Sequence, residues 1–308
     1  MSPDRFHAEL GPPEDQPAAG MAYTFVQKAV RIAATAGFRD LGLDQLDGVL
    51  LALDWVAEDT HHVWGSAVMV APGVAVTARH VVDEMRAKGF LAAKGGQLFA
   101  VGFHAGGRVE LWRADSFTSV DVGDLSLLTL IRSTGPSEAS AAPTQVGLAK
   151  MAARMPHVGE GVSLVGFRAA ELAFAGHALM GLTLVGSVGA VIDLYPAQRD
   201  AHGLPNPSAA IDARTVNGMS GGAAFDAEGR LVGIISSGLE TDTSFISLTW
   251  PATYVPIAPK WPPGLSQAET TLGALAREGL AGIDHLDDVE TWIDGDGRQM
   301  VSISDPNG

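Results

Sequence analysis

The chain has 308 residues, of which 46% are hydrophobic, and a formal net charge of −15. No apolar run approaches the roughly 20 residues that a membrane span needs. The acidic balance argues against binding to nucleic acid or to anionic membrane surfaces, because Lys and Arg lead both kinds of association. We therefore expect a soluble protein that acts on neither nucleic acid nor membrane.

The N-terminal part divides into two predicted segments. Residues 1–20 are rich in Pro, Gly and acidic residues, which predicts a flexible lead. Residues 21–60 are predicted to form a helical extension, because apolar residues keep a 3.6-residue spacing from Ala22 to Ala36 and Gly37 is a plausible C-cap. The same spacing continues through Leu43, Leu46, Leu50 and Leu53. The first residues lack the basic and apolar regions of a secretory signal, which favours a cytoplasmic location.

Short apolar runs separated by turns follow and predict an all-β protein. The first block holds predicted strands over residues 63–71, 74–78, 98–104, 109–114 and 125–131. The second block holds predicted strands over residues 161–167, 182–192, 221–225 and 231–236. Short strands at close spacing, with no long helices between them, are typical of barrels and sandwiches. The small polar stretch 133–142 is the predicted linker between the two blocks.

Beyond the second block, residues 258–308 form a predicted acidic extension. Four prolines between 256 and 263 make a stiff connector, and residues 266–280 are predicted to be helical. A hairpin is predicted from strands at 289–293 and 299–303, with its turn at 294–297. Residues 265–308 carry seven of the chain's fifteen net negative charges.

Three motifs carry the candidate chemistry. The first ends at His80, after two apolar runs joined by a Pro-Gly turn, and the second is Asp124, which opens an apolar strand. The third is Ser220 within Asn-Gly-Met-Ser-Gly-Gly, residues 217–222. A serine between glycines suits nucleophilic catalysis, because its hydroxyl stands clear while neighbouring N–H groups converge on an oxyanion.

The order His, Asp, Ser resembles that of the trypsin-like (chymotrypsin-fold) serine peptidases. Within them, the chain is similar to the bacterial, cysteine-free branch near the HtrA-type proteases, and it contains no cysteine. The resemblance covers roughly residues 60–257. It implies two six-stranded-type β-barrels over 61–257, here with the helical N-terminal extension and a small helix-plus-hairpin C-terminal extension.

The resemblance also implies the role of each residue in the hydrolysis of protein or peptide substrates. Ser220 is the nucleophile, His80 the general base and Asp124 the group that orients the imidazole. The backbone N–H groups of Gly218 and Ser220 form the oxyanion hole. No metal or organic cofactor is implied. Activity is expected to rise with pH as His80 loses its proton, around its unperturbed pKa of about 6.5 or slightly above it with Asp124 beside the ring.

Substrate contacts follow from the same resemblance. Ser236, Ser237 and Gly238 correspond to the strand on which the substrate backbone pairs. Arg214, six residues before the nucleophile, corresponds to the floor of the S1 pocket and favours an acidic P1 side chain. In HtrA-type relatives the pocket is built differently, so the loop can instead turn Arg214 into solvent.

Several alternatives stay open from the sequence. Asp121 competes with Asp124 as the acid, and Met219 stands where zymogen-type relatives carry an aspartate that pairs with a newly cut N-terminus. An α/β-hydrolase needs a helix directly after its serine, whereas the residues after Ser220 are β-like. A catalytically silent peptidase fold that binds proteins is the main alternative. A regulatory protein partner is possible through either extension.

Two patterns suggest metal ions only weakly. The adjacent His61 and His62 would point to opposite faces of a strand and have no spaced acidic partner. The turn at 294–297 has the acidic character of a calcium loop but lacks its spaced ligands and terminal glutamate.

Overall fold

A computed structural model describes residues 23–32, 39–57, 60–92, 95–133, 144–174, 177–196, 207–238, 242–262, 268–295 and 299–303. In chain order, the first elements are β1 (Tyr23–Lys28), β2 (Arg39–Leu41), β3 (Leu50–Ala57), β4 (Thr60–Ala71), β5 (Val74–Thr77), α1 (Arg79–Ala87), β6 (Gly96–Phe103), β7 (Val109–Ser119) and β8 (Ser126–Arg132).

The later elements are β9 (Thr144–Ala149), β10 (Met151–Ala152), β11 (Gly161–Phe174), β12 (His177–Tyr195), β13 (Ser208–Ile211), β14 (Ala223–Phe225), β15 (Leu231–Gly238), β16 (Ser244–Leu248), α2 (Leu272–Arg277), β17 (Ile283–Asp284), β18 (Val289–Ile293) and β19 (Gln299–Ile303). Neither helix is long enough or apolar enough to span a membrane, within the described residues.

Two barrels dominate the molecule, and they confirm the predicted all-β fold class. The first barrel closes in the order β3-β4-β5-β8-β7-β6. In the second, the order β14-β11-β12-β13-β16-β15 closes because β14 pairs with β11 on one side and with β15 on the other. One buried apolar cluster fills the first barrel and continues into residues of the second, such as Phe167 and Ile234, and another lies mainly in the second barrel. The predicted linker 133–142 lies almost wholly outside the described residues.

The predicted N-terminal helix is wrong, because the described part of this segment is extended. β1 pairs in parallel with β9, from Tyr23 opposite Thr144 to Lys28 opposite Ala149. β-branched residues recur at every second or fourth position here, at Thr24, Val26, Val30 and Ile32. That two-residue period favours a strand, and it competes with the helical spacing over so short a segment.

The first barrel begins before residue 61, the predicted start of the peptidase domain. Leu50 and Leu53 lie in β3, which pairs with β4 on one side and β6 on the other and so forms part of the first barrel wall. Leu43 and Leu46 lie in the turn region before β3. β3 is buried on both faces, and a continuous apolar run of this kind does not show the alternation that identifies a strand.

The C-terminal extension consists of a short helix and a hairpin, as predicted. α2 is shorter than the predicted helix because Thr271 caps its start, accepting from Ala274 N–H at 3.1 Å, and Gly279 follows its end with φ +78°. β18 and β19 pair over the predicted residues. β17 adds in parallel to β10 at the edge of the second barrel's sheet, so the extension packs on that barrel.

Candidate active site

His80 lies in the first turn of α1, directly after the first barrel's strand β5. β5 ends at Thr77 and α1 begins at Arg79, so the helix carries the imidazole to the edge of the barrel. His80 Nδ1 lies 2.6 Å from Asp124 Oδ2, and the backbone N–H of His80 donates to Asp124 Oδ1 at 2.8 Å. The carboxylate therefore bonds both the ring and the backbone of His80, which fixes the orientation of the imidazole.

Asp124 is buried and is held from the second barrel as well as the first. Ser236 Oγ donates to Asp124 Oδ2 at 2.5 Å, and Asp124 N–H donates to Ser247 Oγ at 3.0 Å. The register between β15 and β16 shifts between Ile235 and Ser237, which places a bulge at Ser236. A bulge re-aims a side chain, and here the hydroxyl points across to the carboxylate.

The structure distinguishes the two candidate acids. Asp121 is exposed, whereas only 5% of Asp124 is accessible to solvent. Gly123, with φ +84°, turns the chain between them. Of the two carboxylates, Asp124 is the one that contacts His80.

The charges of the pair stabilise each other. Burial raises the pKa of Asp124, but hydrogen bonds and charge from His80, with the hydrogen bond from Ser236, outweigh it and lower the pKa below its ordinary value. Burial lowers the pKa of His80, but the Asp124 hydrogen bond and charge, aided by Glu84 and Asp83, raise it above its ordinary value. The pair therefore favours an imidazolium beside a carboxylate, the state that a general base reaches after accepting a proton.

Ser220 lies on a loop shaped by glycines at positive φ. Gly218 has φ +95° and Gly221 has φ +80°, values that residues with a Cβ rarely adopt. Ser66 N–H of the first barrel donates to the Ser220 carbonyl at 2.8 Å, and a Cβ on Gly65 would lie 2.6 Å from that oxygen. The serine is thus anchored in the second barrel and held against β4 of the first.

The loop of the nucleophile and the acid attach to neighbouring residues of β15. Gly221 N–H donates to Ile235 O at 2.9 Å, and Ile235 N–H donates to Gly222 O at 2.8 Å. The next residue, Ser236, bonds Asp124. One short stretch of strand therefore sets the position of the loop relative to the carboxylate.

Among the described residues, no hydrogen bond joins Ser220 Oγ to His80 Nε2. Catalytic hydrogen bonds are often long in unliganded enzymes and shorten only when substrate is bound. The loop of Ser220 and the His80–Asp124 pair are therefore joined through Ile235 and Ser236 of β15, and not by a hydrogen bond of Ser220 Oγ to His80.

Within the described residues 218–222, two backbone N–H groups have no backbone acceptor. The N–H groups of Met219, Gly221 and Gly222 each donate to a backbone carbonyl. Within the described chain, those of Gly218 and Ser220 donate to none. An oxyanion hole requires donors that are free to bind substrate, and the assignment of these two N–H groups to it stays a prediction.

The predicted substrate strand forms the end of β15. Ser237 pairs with Phe245 and Gly238 with Ser244, both on β16, whereas pairing with β14 ends at Ile234. The opposite edge of Ser237 is therefore unpaired by any described strand. The side-chain hydroxyl of Ser236 bonds Asp124, and the predicted pairing of its backbone with substrate stays a prediction.

Two further predicted features are placed by the structure. The Arg214 side chain is exposed, and its backbone carbonyl accepts a hydrogen bond from Ser187 Oγ at 2.6 Å. Met219 is fully buried, and its Sδ accepts from Val216 N–H at 3.4 Å. Met219 therefore packs into the second barrel's core directly before the nucleophile.

Neither metal pattern forms a cluster in the part of the chain that the structure describes, where no three His, Cys, Asp or Glu residues group to hold an ion. His61 Nδ1 lies 2.7 Å from Asp54 Oδ2, while the His62 ring packs 4.5 Å from the Trp64 ring, centroid to centroid. Of the acidic turn, Asp296 and Gly297 lie outside the described residues.

Sequence reasoning missed the serines that support the site. Ser247 lies 123 residues from Asp124 along the chain, and Ser66 lies 101 residues from Phe167, whose N–H donates to Ser66 Oγ at 2.9 Å. Isolated serines in apolar strands carry no local signal of such contacts. Only the packing of one barrel on the other brings them to the site.

Two closed six-stranded barrels packed on each other define the chymotrypsin type of fold. A family model for the trypsin-like peptidase domain matches residues 65–234, and the chain belongs to this family. A search of curated proteins finds no match.

Among solved structures, the chain is similar to Rv3671c from M. tuberculosis H37Rv. An inactive serine-to-alanine mutant of that protein is 16% identical with a TM-score of 0.39, over 65% of this chain and 80% of the other. The Rv3671c protease in an inactive form is 14% identical with a TM-score of 0.39, over 76% of this chain and 90% of the other.

Proposed function

We propose that the chain is a serine endopeptidase that hydrolyses peptide bonds in proteins through an acyl-enzyme. The observation that carries the proposal is the two-point grip of Asp124 on His80, at 2.6 Å and 2.8 Å, beside the anchored loop of Ser220. A buried carboxylate that binds the Nδ1 side of an imidazole leaves Nε2 free to accept a proton. This is the arrangement that activates a serine hydroxyl.

In this mechanism, His80 Nε2 takes the Ser220 proton as Oγ attacks the substrate carbonyl carbon. The carbonyl oxygen becomes an oxyanion, which receives hydrogen bonds from Gly218 N–H and Ser220 N–H. His80 then gives its proton to the leaving amine, and the peptide C–N bond breaks to leave an ester on Ser220. Water, deprotonated by His80, hydrolyses the ester in a second round of the same steps.

The substrate backbone is proposed to pair with the unpaired edge of β15 at Ser237 and Gly238. Because the Arg214 side chain is exposed, we do not place it at the floor of the S1 pocket. Cleavage-site profiling of wild type and Arg214→Ala tests this point, and we expect the same P1 preference in both. An acidic P1 preference that disappears in the variant would show that Arg214 does line the S1 pocket. From the sequence we further propose that the chain is related to the HtrA-type branch and that it acts in the cytoplasm.

A second candidate function is a silent or latent peptidase fold that acts in protein binding. It is favoured by one observation, that no described hydrogen bond joins Ser220 to His80. Under this alternative, the triad residues are present but do not activate the serine unless a partner moves the loop.

Labelling with a fluorophosphonate probe, together with hydrolysis of a proteome-derived peptide library, tests the proposal. Wild type is expected to be labelled and to cleave peptides, and Ser220→Ala is expected to do neither. Ser163→Ala, which removes a half-buried serine from β11, is the matched control and should behave as wild type. Folded wild-type protein that takes up no probe would favour the silent fold, and cleavage by Ser220→Ala would exclude the mechanism.

A further inference from the structure

The contact between Ser247 and the backbone of Asp124 joins the two barrels at the acid. Ser247 lies in β16 of the second barrel, whereas Asp124 precedes β8 of the first. Asp124 N–H donates to Ser247 Oγ at 3.0 Å, and Ser247 is fully buried. A bond of this kind has no role in the strand pairing of either barrel, in which Ser247 pairs with Ser208 and Ile234 through its backbone.

Every polar group of Asp124 has a partner, and Ser247 supplies the one for the backbone donor. The two carboxylate oxygens accept from His80 and Ser236, and the Asp124 carbonyl accepts from Arg79 N–H at 3.2 Å. Without the Ser247 hydroxyl, the buried N–H of Asp124 loses its acceptor. An unsatisfied buried donor costs about 1–3 kcal/mol, so the chain gains by moving to restore a partner.

The segment that would move is a tight turn. Val120 N–H donates to Leu125 O at 3.0 Å, which closes the turn, and Gly123 with φ +84° lies within it. Asp121 and Val122, at its tip, are exposed. Because the tip is open to solvent, the turn is held from its buried side, where the Ser247 bond holds the backbone N–H of Asp124 and the other bonds hold its carboxylate and carbonyl.

We propose that Ser247 is a positioning residue of the active site, which holds the turn of Asp124 so that both carboxylate oxygens meet His80. The inference rests on the proposed function for its kinetic consequence, but not for its structural one. In this assignment the second barrel sets the geometry of an acid that belongs to the first.

The kinetic test compares Ser247→Ala with Ser208→Ala. Ser208 is also fully buried and lies opposite Ser247 on β13, so its variant removes an equivalent hydroxyl away from Asp124. Ser247→Ala is expected to lower kcat by about 10- to 100-fold with little change in KM, because the substrate strand is intact and only the base is misaligned. Ser208→Ala is expected to keep the wild-type kcat. If both variants lose similar thermal stability and have the same kcat, Ser247 has only a structural role.

An NMR titration of the His80 imidazole tests the same inference without relying on activity. A displaced Asp124 raises the His80 pKa less, so Ser247→Ala is expected to titrate at lower pH than wild type and Ser208→Ala is not. Asp83 and Glu84, the other acidic groups that face His80, are unchanged in both variants. An unshifted titration in Ser247→Ala would overturn the inference. If wild type hydrolyses nothing, the proposed function fails, and this titration still decides the role of Ser247.

Discussion

Asp124, and not the exposed Asp121, contacts both the ring and the backbone of His80. Asp124→Asn is expected to lower kcat by about 10⁴-fold, the loss seen when the same change is made in the chymotrypsin-type triad, because the amide favours the wrong imidazole tautomer. Asp121→Asn is the matched control. Its side chain is exposed, so its kcat should stay within about twofold of wild type. Equal losses in the two variants would contradict the assignment of the acid.

The same residue sets a pH dependence whose sign can be worked out. Asp124 raises the pKa of His80, so the protonated, inactive base persists to higher pH than an unperturbed histidine would. kcat/KM should therefore rise as pH passes through that raised pKa. In Asp124→Asn the residual activity should reach half its maximum at a lower pH, because the carboxylate charge is gone.

Some residues of the candidate site stand in short sequence motifs, whereas others come together only through the fold. His80, Asp124 and Ser220 could be predicted because each stands in a short motif and the three follow a family order. The supporting contacts could not, because Ser236 lies 112 residues from Asp124 and Ser247 lies 123 residues away. Their role depends on a bulge in β15 and on barrel packing, which no local pattern encodes.

The loop before β14 requires glycine at position 221 for two separate reasons, a positive φ and a lack of space for a Cβ. Gly221 has φ +80°, and an added Cβ would lie far inside contact distance of Ser66 O and Thr77 Oγ1. Gly159, in the turn before β11, has φ +90°, and a Cβ added there would meet nothing within 4 Å. A comparison of alanine substitutions at the two positions therefore separates backbone strain from steric exclusion.

Gly159→Ala is expected to lose about 1–2 kcal/mol of unfolding free energy, the cost of the left-handed conformation, with unchanged kcat/KM. Gly221→Ala is expected to lose more stability and at least about 100-fold in kcat/KM, because Ser220 must move away from β4. Chemical denaturation and steady-state kinetics measure the two effects. A normal kcat/KM in Gly221→Ala would show that the contact with β4 does not position the serine.

The elements themselves were predictable to different degrees. The hairpin β18–β19 could be placed from its alternating strands and acidic Gly turn, which are local features. β1 and β3 were predicted as helix because apolar residues also fell at helical spacing. Their pairing with β9, β4 and β6 decided the outcome, and such long-range pairing overrides the propensity of a short segment.

For the whole molecule, the barrels hold each other's functional groups. Ser66 of the first barrel holds the Ser220 carbonyl and accepts from Phe167 N–H of the second. Ser236 and Ser247 of the second barrel hold Asp124 of the first. The site therefore forms only where the barrels are correctly docked, and any segment that stabilises the docking supports activity.

The N-terminal segment is such a stabilising part of the molecule. β1 pairs with β9, the strand that follows the linker, and Val30 N–H donates to Gly229 O of the second barrel at 2.7 Å. Lys28 forms an ion pair with Asp47, whose other carboxylate oxygen lies 3.0 Å from His104 Nδ1 in the first barrel. The segment thus contacts both barrels.

We expect removal of this segment to destabilise the protein and not to activate it. Deleting residues 1–32 removes β1 with the buried Val30 and Ile32, a loss of about 3–6 kcal/mol of apolar burial, which corresponds to at least about 5 °C in Tm. Deleting residues 1–22 is the matched control, because it leaves every described contact in place. Met219 offers no carboxylate to a new N-terminus and is already buried, so neither deletion should raise kcat/KM, and an uncleavable N-terminal fusion should be as active as wild type. Thermal unfolding and peptide hydrolysis of the four proteins measure this. A fusion that is inert until proteolysis removes the segment would instead establish activation by N-terminal cleavage.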